Sequence, residues 1–228
     1  MVNIDKDFSW ERFLQPYELA VEDFILKMEG IKHQYLLANQ YCPIEIVSGR
    51  VKSPQSILDK AQRLNVDKCY IDEQLYDIGG VRITCKYLSD VYKVCELVKQ
   101  RKDLETLEIR DYIKNPKPSG YRSLHMICRY SVETINGSLP VILEFQIRTH
   151  AMHFWASIEH SLKYKYQKNI PAELKRRLIA ASVAAQNLDK EMTSIKETIE
   201  QLDQNTGTSK AEIADPYESE VSIQHKKW

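Results

Sequence analysis

The sequence of 228 residues has no excess charge of either sign, because 32 Lys and Arg residues balance 32 Asp and Glu residues. A balanced chain produces no general field that would gather DNA or an anionic membrane, so a polyanionic ligand must meet a local cluster of cations. The sequence also has no apolar run long enough to span a membrane, and no hydrophobic signal region near Asp5 and Asp7. These absences argue against DNA, a membrane and export, give no indication of RNA, and predict a cytoplasmic protein.

Cysteine, glycine and proline are also scarce, with five, seven and eight residues respectively. The cysteines are odd in number and show no CxxC spacing, which argues against a disulfide framework or a zinc site. The low glycine and proline content, together with 43% hydrophobic residues, excludes a fibrous or disordered chain. A length of 228 residues then suits one compact domain, with or without a helical appendage.

Two kinds of hydrophobic periodicity alternate along the chain and predict mixed strands and helices. Spacing of three and four residues predicts a long N-terminal helix from Trp10 to about Asn39, which Pro16 either begins or breaks. Asn136-Gly137 predicts an antiparallel hairpin. Further helices are predicted over residues 54–64, 89–100, 151–166 and 171–204, and strands over 81–87, 123–130 and 141–148.

The last predicted helix carries a heptad seam of apolar residues. Its members are Leu174, Leu178, Ala181, Ala185, Leu188, Met192, Ile195, Ile199 and Leu202. Such a seam serves either packing against the N-terminal helix or self-association, and the pattern alone leaves both open. We predict a single domain over residues 1–204 and a flexible tail over the polar residues 205–228.

A first cluster of cations surrounds the predicted start of the second helix. Arg50 and Lys52 precede this start, and Ser56, Lys60 and Arg63 share one helix face opposite Ile57, Leu58, Ala61 and Leu64. Cations beside a helix N-terminus form a suitable cradle for a polyphosphate. A solvated charged face explains the same spacing, so this pattern alone decides nothing.

A second cluster occupies the loop over residues 110–122, where four cations and two tyrosines precede a strand. A loop of this composition suits a nucleotide, with phosphates on the cations and a base on an aromatic ring. A mobile basic loop is the alternative. His125 follows on the strand and shares a face with Ser123, which is consistent with either a site residue or a structural histidine.

Two carboxylates are candidates for chemistry. Glu144 shares a strand face with Gln146 and Arg148, and a carboxylate there can bind Mg²⁺ or act as a general base. A second carboxylate would hold the metal better, and Asp77, just before Gly79-Gly80, is the candidate. The alternative is that Asp77 caps a turn and that Glu144 pairs with Arg148.

A helical trio of His153, Ser157 and His160 does not indicate a metal site. No cysteine or acid completes the group at the spacing that metal ligands require. Trp155, Ile158 and Leu162 predict that this helix is packed in the ordinary way.

Together, these segments resemble the synthetase domain of the RelA/SpoT family, and their order and spacing are similar to those of the synthetase-only small alarmone synthetases. The resemblance covers roughly residues 10–204 and rests on residues 43–52, 77–82, 119–125, 144–149 and 154–160. It implies an α+β fold of the nucleotidyltransferase-like synthetase type, with a mixed, largely antiparallel sheet flanked by helices and long helices at both ends. It also implies transfer of pyrophosphate from ATP to the 3′-hydroxyl of GDP or GTP, which gives AMP and the alarmones ppGpp or pppGpp.

The same resemblance implies roles for individual residues. Arg50 and Arg82 would sandwich the adenine, and Ser56 and the cations Lys52, Lys60 and Arg63 would hold ATP. Asp77 and Glu144 would bind Mg²⁺, and Glu144 would also polarise or deprotonate the 3′-hydroxyl. Tyr121 would stack on guanine through its ring. The acceptor side would be lined by Arg110, Lys117, His125, Gln146 and His153.

The resemblance also implies a homo-oligomer, by family habit a tetramer. Two other functions remain open: a catalytically silent sensor of nucleotides or RNA, and a nucleotidyltransferase of the same general fold. The presence of both Asp77 and Glu144 favours an enzyme, because a pure binder of polyanions gains nothing from two acids in its site.

Overall fold

The computed structural model describes residues 8–165 and 170–206 of the chain. Its strands are β1 (Ile46–Val51), β2 (Gly79–Cys85), β3 (Leu104–Asp111), β4 (Leu124–Thr134) and β5 (Gly137–Thr149). Its helices are α1 (Trp10–Leu37), α2 (Pro54–Leu64), the single turn α3 (Ile71–Gln74), α4 (Leu88–Lys99), α5 (His150–Lys165) and α6 (Ala172–Thr206). A 3₁₀ turn over Lys68–Tyr70 precedes α3.

The five strands form one sheet in the order β1-β2-β5-β4-β3. β2 and β5 run parallel, and the other three pairs are antiparallel. The β4–β5 hairpin turns at Asn136 and Gly137, where Gly137 has a positive φ of 100°. The predicted α+β class, the largely antiparallel sheet and the long helices at both ends are therefore confirmed.

One face of the sheet carries the hydrophobic core. Leu143, Phe145 and Ile147 of β5 point to this face and are fully buried. Phe24 of α1 lies against Phe145, with ring centroids 4.5 Å apart, and α4 supplies further buried side chains such as Val94. Because strand side chains alternate, Glu144, Gln146 and Arg148 point to the opposite face.

The N-terminal helix is continuous. The Ser9 hydroxyl accepts a hydrogen bond from the Arg12 backbone N–H and caps α1. Pro16 lies inside α1, so the prediction that this proline begins or breaks the helix is wrong. The buried side chains on either side of this proline, Leu14 and Tyr17, hold this part of the helix against the core, which compensates for the missing N–H donor.

The two edge strands were not expected from the sequence. β1 includes Ser48 and Gly49, and β3 includes Glu105 and Glu108, so neither strand shows clear alternation of apolar and polar residues. Each is paired on one side only, within the described residues, and exposes several of its side chains. Arg50, which was predicted only to precede the start of α2, therefore belongs to a strand.

The heptad seam of α6 is exposed along most of its length. Leu188 and Met192 retain 56% and 43% of their accessible surface, whereas the polar residues Ser182 and Asp189 are buried.

Contacts within the chain define two compact units, one that ends at Thr193 and one that begins at Ser194. Of the second unit, the structure describes the last turns of α6, up to Thr206. The single domain over 1–204 therefore stays a prediction, and 207–228 of the predicted tail lie outside the described residues. None of the described helices is both long and apolar enough to cross a membrane.

Candidate active site

The open face of the sheet brings two distant segments together. In the parallel register of β2 and β5, Gly80 lies opposite Glu144 and Arg82 lies opposite Gln146. The antiparallel β1–β2 pair places Arg50 opposite Gly80. Arg50 of β1 and Glu144 of β5 therefore lie on either side of Gly80 in β2.

These residues line a cavity of about 90 Å³. Its wall is formed by Ser48, Gly49, Arg50, Lys52, Asp77, Gly80, Val81, Arg82, Glu144 and Gln146. Both predicted carboxylates and three of the predicted ATP-binding cations thus share one cavity. A larger cavity, near 660 Å³, lies by Tyr17, Asp72 and Ile142 and contains none of the predicted site residues.

Asp77 is held by two lysines. Lys60 Nζ lies 2.6 Å and Lys52 Nζ 3.2 Å from Asp77 Oδ2. The other oxygen, Oδ1, is buried and has no hydrogen-bond partner among the described residues. Asp77 therefore joins β1, α2 and the start of β2 through ion pairs, and it retains one acceptor atom that a ligand can use.

Glu144 is bound by an imidazole and an amide. His125 Nδ1 lies 2.9 Å from Oε1, and Gln146 Nε2 donates to Oε2 over 2.8 Å. Burial by itself would raise the pKa of Glu144, but the hydrogen bond and charge of His125, with Gln146 and Lys60, lower that pKa to about 2. Glu144 is therefore an anion throughout the physiological range. The alternative pairing of Glu144 with Arg148 is not found.

Glu144 and four other side chains form a closed ring of hydrogen bonds. The ring continues from His125 Nε2 to the Tyr121 hydroxyl, 2.7 Å away. An NH2 group of Arg148 donates to that hydroxyl over 3.1 Å and also to Gln146 Oε1. Since a carboxylate only accepts, His125 Nδ1 donates to Glu144. Hydrogen bonds through His125 on one side, and through Arg148 and Gln146 on the other, therefore connect Tyr121 to Glu144.

Arg148 is the site residue that the sequence analysis did not select. Its side chain is buried, and burial together with the neighbouring charge of Arg82 lowers its pKa, although Tyr121 and Glu144 oppose the shift. Strand alternation with Glu144 and Gln146 carried the signal, but the sequence analysis considered Arg148 only as an alternative partner for Glu144.

Cations crowd one end of the site. Burial and the charge of Arg50 lower the pKa of Arg82, and the Nε of Arg82 is buried without a partner among the described residues. Burial, Arg82, Arg148 and His150 lower the pKa of His153 as well. A flat or anionic ligand between these groups would relieve both the repulsion and the unmet hydrogen-bonding capacity.

Of the predicted residues on α2, Lys60 forms an ion pair with Asp77. Ser56 and Arg63 lie near the two ends of the helix. Ser53 caps α2, and its hydroxyl lies 2.9 Å from the hydroxyl of Ser56. Arg63 is exposed in the last turn. Ile57 and Ala61 are buried as expected, whereas Leu64 is 53% exposed because the helix ends there at Asn65 in the left-handed conformation.

The loop over residues 112–123 presents an aromatic and cationic surface. Lys117 Nζ lies 4.5 Å from the ring centroid of Tyr112 and 5.1 Å from that of Tyr121. Arg110, at the end of β3, donates two hydrogen bonds to Glu108 over 2.7 and 2.6 Å. Lys117 therefore belongs to the Tyr121 surface, whereas Arg110 is engaged by Glu108.

The helix α5 is less packed than expected. Among the described residues, no group of three or more His, Cys, Asp or Glu side chains is placed to hold a metal ion. Trp155 is buried and its Nε1 donates to the Leu178 carbonyl over 2.9 Å. Ile158 and Leu162 are 42% and 45% exposed, so the expectation that these two residues are packed is wrong.

The donor set fits Mg²⁺. This ion prefers oxygen ligands and is commonly held by one or two protein carboxylates together with substrate phosphates. Asp77 and Glu144 line the same cavity, and Asp77 Oδ1 is a buried acceptor without a protein partner. Two carboxylates beside four cations suit a metal ion that binds together with a polyphosphate.

The chain is similar to proteins of a known family. Residues 49–169 match the family described as the region found in RelA / SpoT proteins. GTP pyrophosphokinase YjbM of Bacillus subtilis (strain 168) is 47% identical over 195 residues, which span 86% of this chain and 92% of YjbM.

Two crystal structures from Bacillus subtilis are also similar. Small alarmone synthetase 1 bound to its product pppGpp has a TM-score of 0.80 and 47% identity, covering 83% of this chain and 97% of that chain. The same synthetase bound to AMPCPP has a TM-score of 0.74 and 42% identity, covering 84% of this chain and 98% of that chain. The family match and the identity over most of both chains lead to one conclusion: this chain belongs to the RelA/SpoT family.

Proposed function

We propose that this protein is a GTP pyrophosphokinase that transfers pyrophosphate from ATP to the 3′-hydroxyl of GDP or GTP. Its products are AMP and ppGpp or pppGpp, the alarmones of the stringent response. The observation that carries the proposal is the position of Glu144, which shares a cavity with Asp77 and the cations Arg50, Lys52 and Arg82 and is joined through His125 to Tyr121. The names of the similar proteins support it.

ATP binds between the β1 and β2 cations. The guanidinium groups of Arg50 and Arg82 stack on the two faces of the adenine, since a planar guanidinium packs on a base as an ammonium cannot. Lys52 and Lys60 hold the phosphates, with Ser56 in the first turn of α2 and Arg63 in its last turn. The ion pairs of both lysines with Asp77 support this role, because they hold the two ammonium groups at the metal-type carboxylate.

The acceptor nucleotide binds on the Tyr121 side. Guanine stacks on the Tyr121 ring, with Lys117, Gln146 and His153 beside it, and Arg110 reaches a 5′-phosphate when it exchanges Glu108 for the ligand. His125 orients Glu144 toward the ribose. The hydrogen bonds from Tyr121 through His125 to Glu144 support a shared position for base and ribose.

In the transfer, the ribose 3′-oxygen forms a bond to the β-phosphorus of ATP. The bond from that phosphorus to the oxygen bridging the α- and β-phosphorus breaks, and AMP leaves with that oxygen. Glu144 accepts a hydrogen bond from the 3′-hydroxyl and receives its proton as the new bond forms. Asp77 and Glu144 would hold Mg²⁺, which would neutralise charge on the phosphates.

The test is incubation of the protein with ATP labelled on the terminal phosphate, GDP and Mg²⁺. Labelled ppGpp and unlabelled AMP in equal amounts support pyrophosphate transfer. Release of labelled pyrophosphate with a nucleotidylated acceptor would identify a nucleotidyltransferase, and binding of both nucleotides without turnover would identify a silent sensor. Either result overturns the proposal.

We also propose a homotetramer that acts in the cytoplasm, where ATP and guanine nucleotides are made. The exposed residues Leu188 and Met192 on α6 support self-association, since apolar side chains in a continuous row are normally covered in the working assembly.

A further inference from the structure

The helix α6 is docked onto the catalytic region through polar side chains. Ser182 and Asp189 are its buried residues in the described part, and they are seven positions apart on one helix face. Asp189 Oδ2 accepts from the Thr149 hydroxyl over 2.7 Å, and Thr193 Oγ1 accepts from the Leu88 N–H over 3.2 Å. The position of α6 therefore depends on a few hydrogen bonds rather than on an extensive apolar interface.

The Ser182 contact is made with the acceptor loop. Its hydroxyl donates to the carbonyl of Gly120, the residue before Tyr121, and both Ser182 and Gly120 are buried. Gly120 has a φ of 91°, and a Cβ added to it would lie 2.9 Å from Ser182 Cβ. Only a glycine allows this close approach, for reasons of both backbone conformation and space.

The Gly120 carbonyl belongs to the same planar peptide unit as the Tyr121 nitrogen. Fixing the direction of that carbonyl fixes the plane from which the Tyr121 side chain leaves the backbone. Within the turn, Gly120 N–H donates to Lys117 C=O over 2.8 Å, Lys117 N–H donates to Tyr121 C=O over 3.2 Å, and Tyr121 N–H donates to the Ser119 hydroxyl over 3.4 Å. Ser182 adds the side-chain anchor from outside the loop.

We propose that Ser182 is a positioning residue for the acceptor nucleotide, acting through the Gly120 peptide to hold the Tyr121 ring in the orientation that receives guanine. The inference deepens the proposed function and rests on it. On the ATP side, the ion pairs of Lys52 and Lys60 with Asp77 do not involve this peptide. Loss of the hydroxyl should therefore weaken binding of GDP and leave ATP binding unchanged.

The test compares Ser182→Ala with the parent and with Thr193→Val. The Thr193→Val variant removes another hydrogen bond that docks α6 on the same unit, but at Leu88 rather than at the acceptor loop. We expect Ser182→Ala to raise the KM for GDP by roughly 3- to 30-fold, the span of one lost hydrogen bond to a buried group. The KM for ATP should stay within about twofold for both variants, as should the KM for GDP in Thr193→Val.

Equilibrium binding of a fluorescent GDP analogue provides a second readout that needs no turnover. If the parent forms no ppGpp but binds the analogue, the proposed function fails while the Ser182 inference is still tested by binding. An unchanged affinity of Ser182→Ala for the analogue would overturn the inference. Equal weakening in Thr193→Val, or equal damage to ATP and GDP with a lower melting temperature, would also overturn it, because general undocking of α6 would then explain the effect.

Discussion

The hydroxyl of Tyr121 lies 2.7 Å from Nε2 of His125, whose other ring nitrogen contacts Glu144. Sequence analysis assigned only the ring of Tyr121 to function. The structure adds that its hydroxyl is one of five groups in a closed ring of hydrogen bonds. The two halves of this side chain can therefore be separated by substitution.

We expect Tyr121→Ala to raise the KM for GDP by roughly 5- to 150-fold, since stacking of a base on an aromatic ring contributes about 1–3 kcal/mol. Tyr121→Phe keeps the ring but removes the partner of His125 and Arg148, so it should lower kcat several-fold with little change in the KM for GDP. Steady-state kinetics with each nucleotide varied in turn measures both effects. A kcat equal to that of the parent in Tyr121→Phe would show that the hydroxyl has no part in catalysis.

Glu144→Gln should reduce turnover by at least about 100-fold, the usual scale of losing general-base assistance. Binding of GDP should remain measurable, because the amide still fits beside Gln146. The matched control is Glu133→Gln, an exposed position on the same hairpin that faces no site residue. Turnover near that of the parent in Glu144→Gln would remove this carboxylate from the mechanism and favour a silent sensor.

The low pKa of Glu144 predicts how stability changes with acid. A carboxyl whose pKa is lower in the folded state stabilises the fold above its unfolded pKa, and this contribution is lost as pH falls through the folded pKa. For Glu144 the loss should occur between its ordinary value of 4.5 and about 2. Urea unfolding of the parent and of Glu144→Gln from pH 6 to pH 2.5 measures it. The gap between the two free energies of unfolding should narrow as the pH falls, and a constant gap would contradict the lowered pKa.

Asp77→Asn should raise the Mg²⁺ concentration needed for half-maximal activity by roughly tenfold or more, because one of two charged ligands is lost. Chelation by EDTA should abolish product formation by the parent, and added Mg²⁺ should restore it. Asp59→Asn, an exposed change on α2, is the control. An unaltered Mg²⁺ requirement in Asp77→Asn would show that the Asp77 carboxylate pairs with Lys52 and Lys60 but does not bind the metal.

Sedimentation should show an oligomer, with a tetramer as the expected species. The double variant Leu188→Glu with Met192→Glu places charges on the exposed seam of α6 and should shift the protein to smaller species without loss of helix content. Lys190→Glu, on the same helix and already exposed, should leave the oligomer intact. A monomeric parent would contradict self-association.

The sequence was sufficient for the central elements and insufficient for the edges. Residues 141–148 alternate cleanly between apolar and polar side chains. Their strand, and the position of Glu144 on the sheet face opposite the core, could therefore be predicted. β1 could not, because Ser48, Gly49 and Arg50 form a strand only through pairing with β2, and pairing leaves no local pattern.

The orientation of α6 was hidden for a similar reason. Apolar periodicity reveals which side chains share a helix face, but not whether that face meets its own domain. Ser182 and Asp189 are buried here because loop and strand groups offer them partners far away in sequence. Likewise, Arg148 donates a hydrogen bond to the Tyr121 hydroxyl, and no spacing in the sequence indicates that these two residues lie side by side.

The parallel pairing of β2 with β5 also bears on the order of folding. The β4–β5 hairpin closes locally through Asn136 and Gly137, whereas β2 must find β5 across the intervening α4, β3 and β4. Pairing between segments distant in the chain carries a larger loop-closure cost and forms slowly. We therefore expect His125 and Glu144 to meet early in refolding and Asp77 to join them last, so that competence to bind nucleotide appears only when the chain is completely folded.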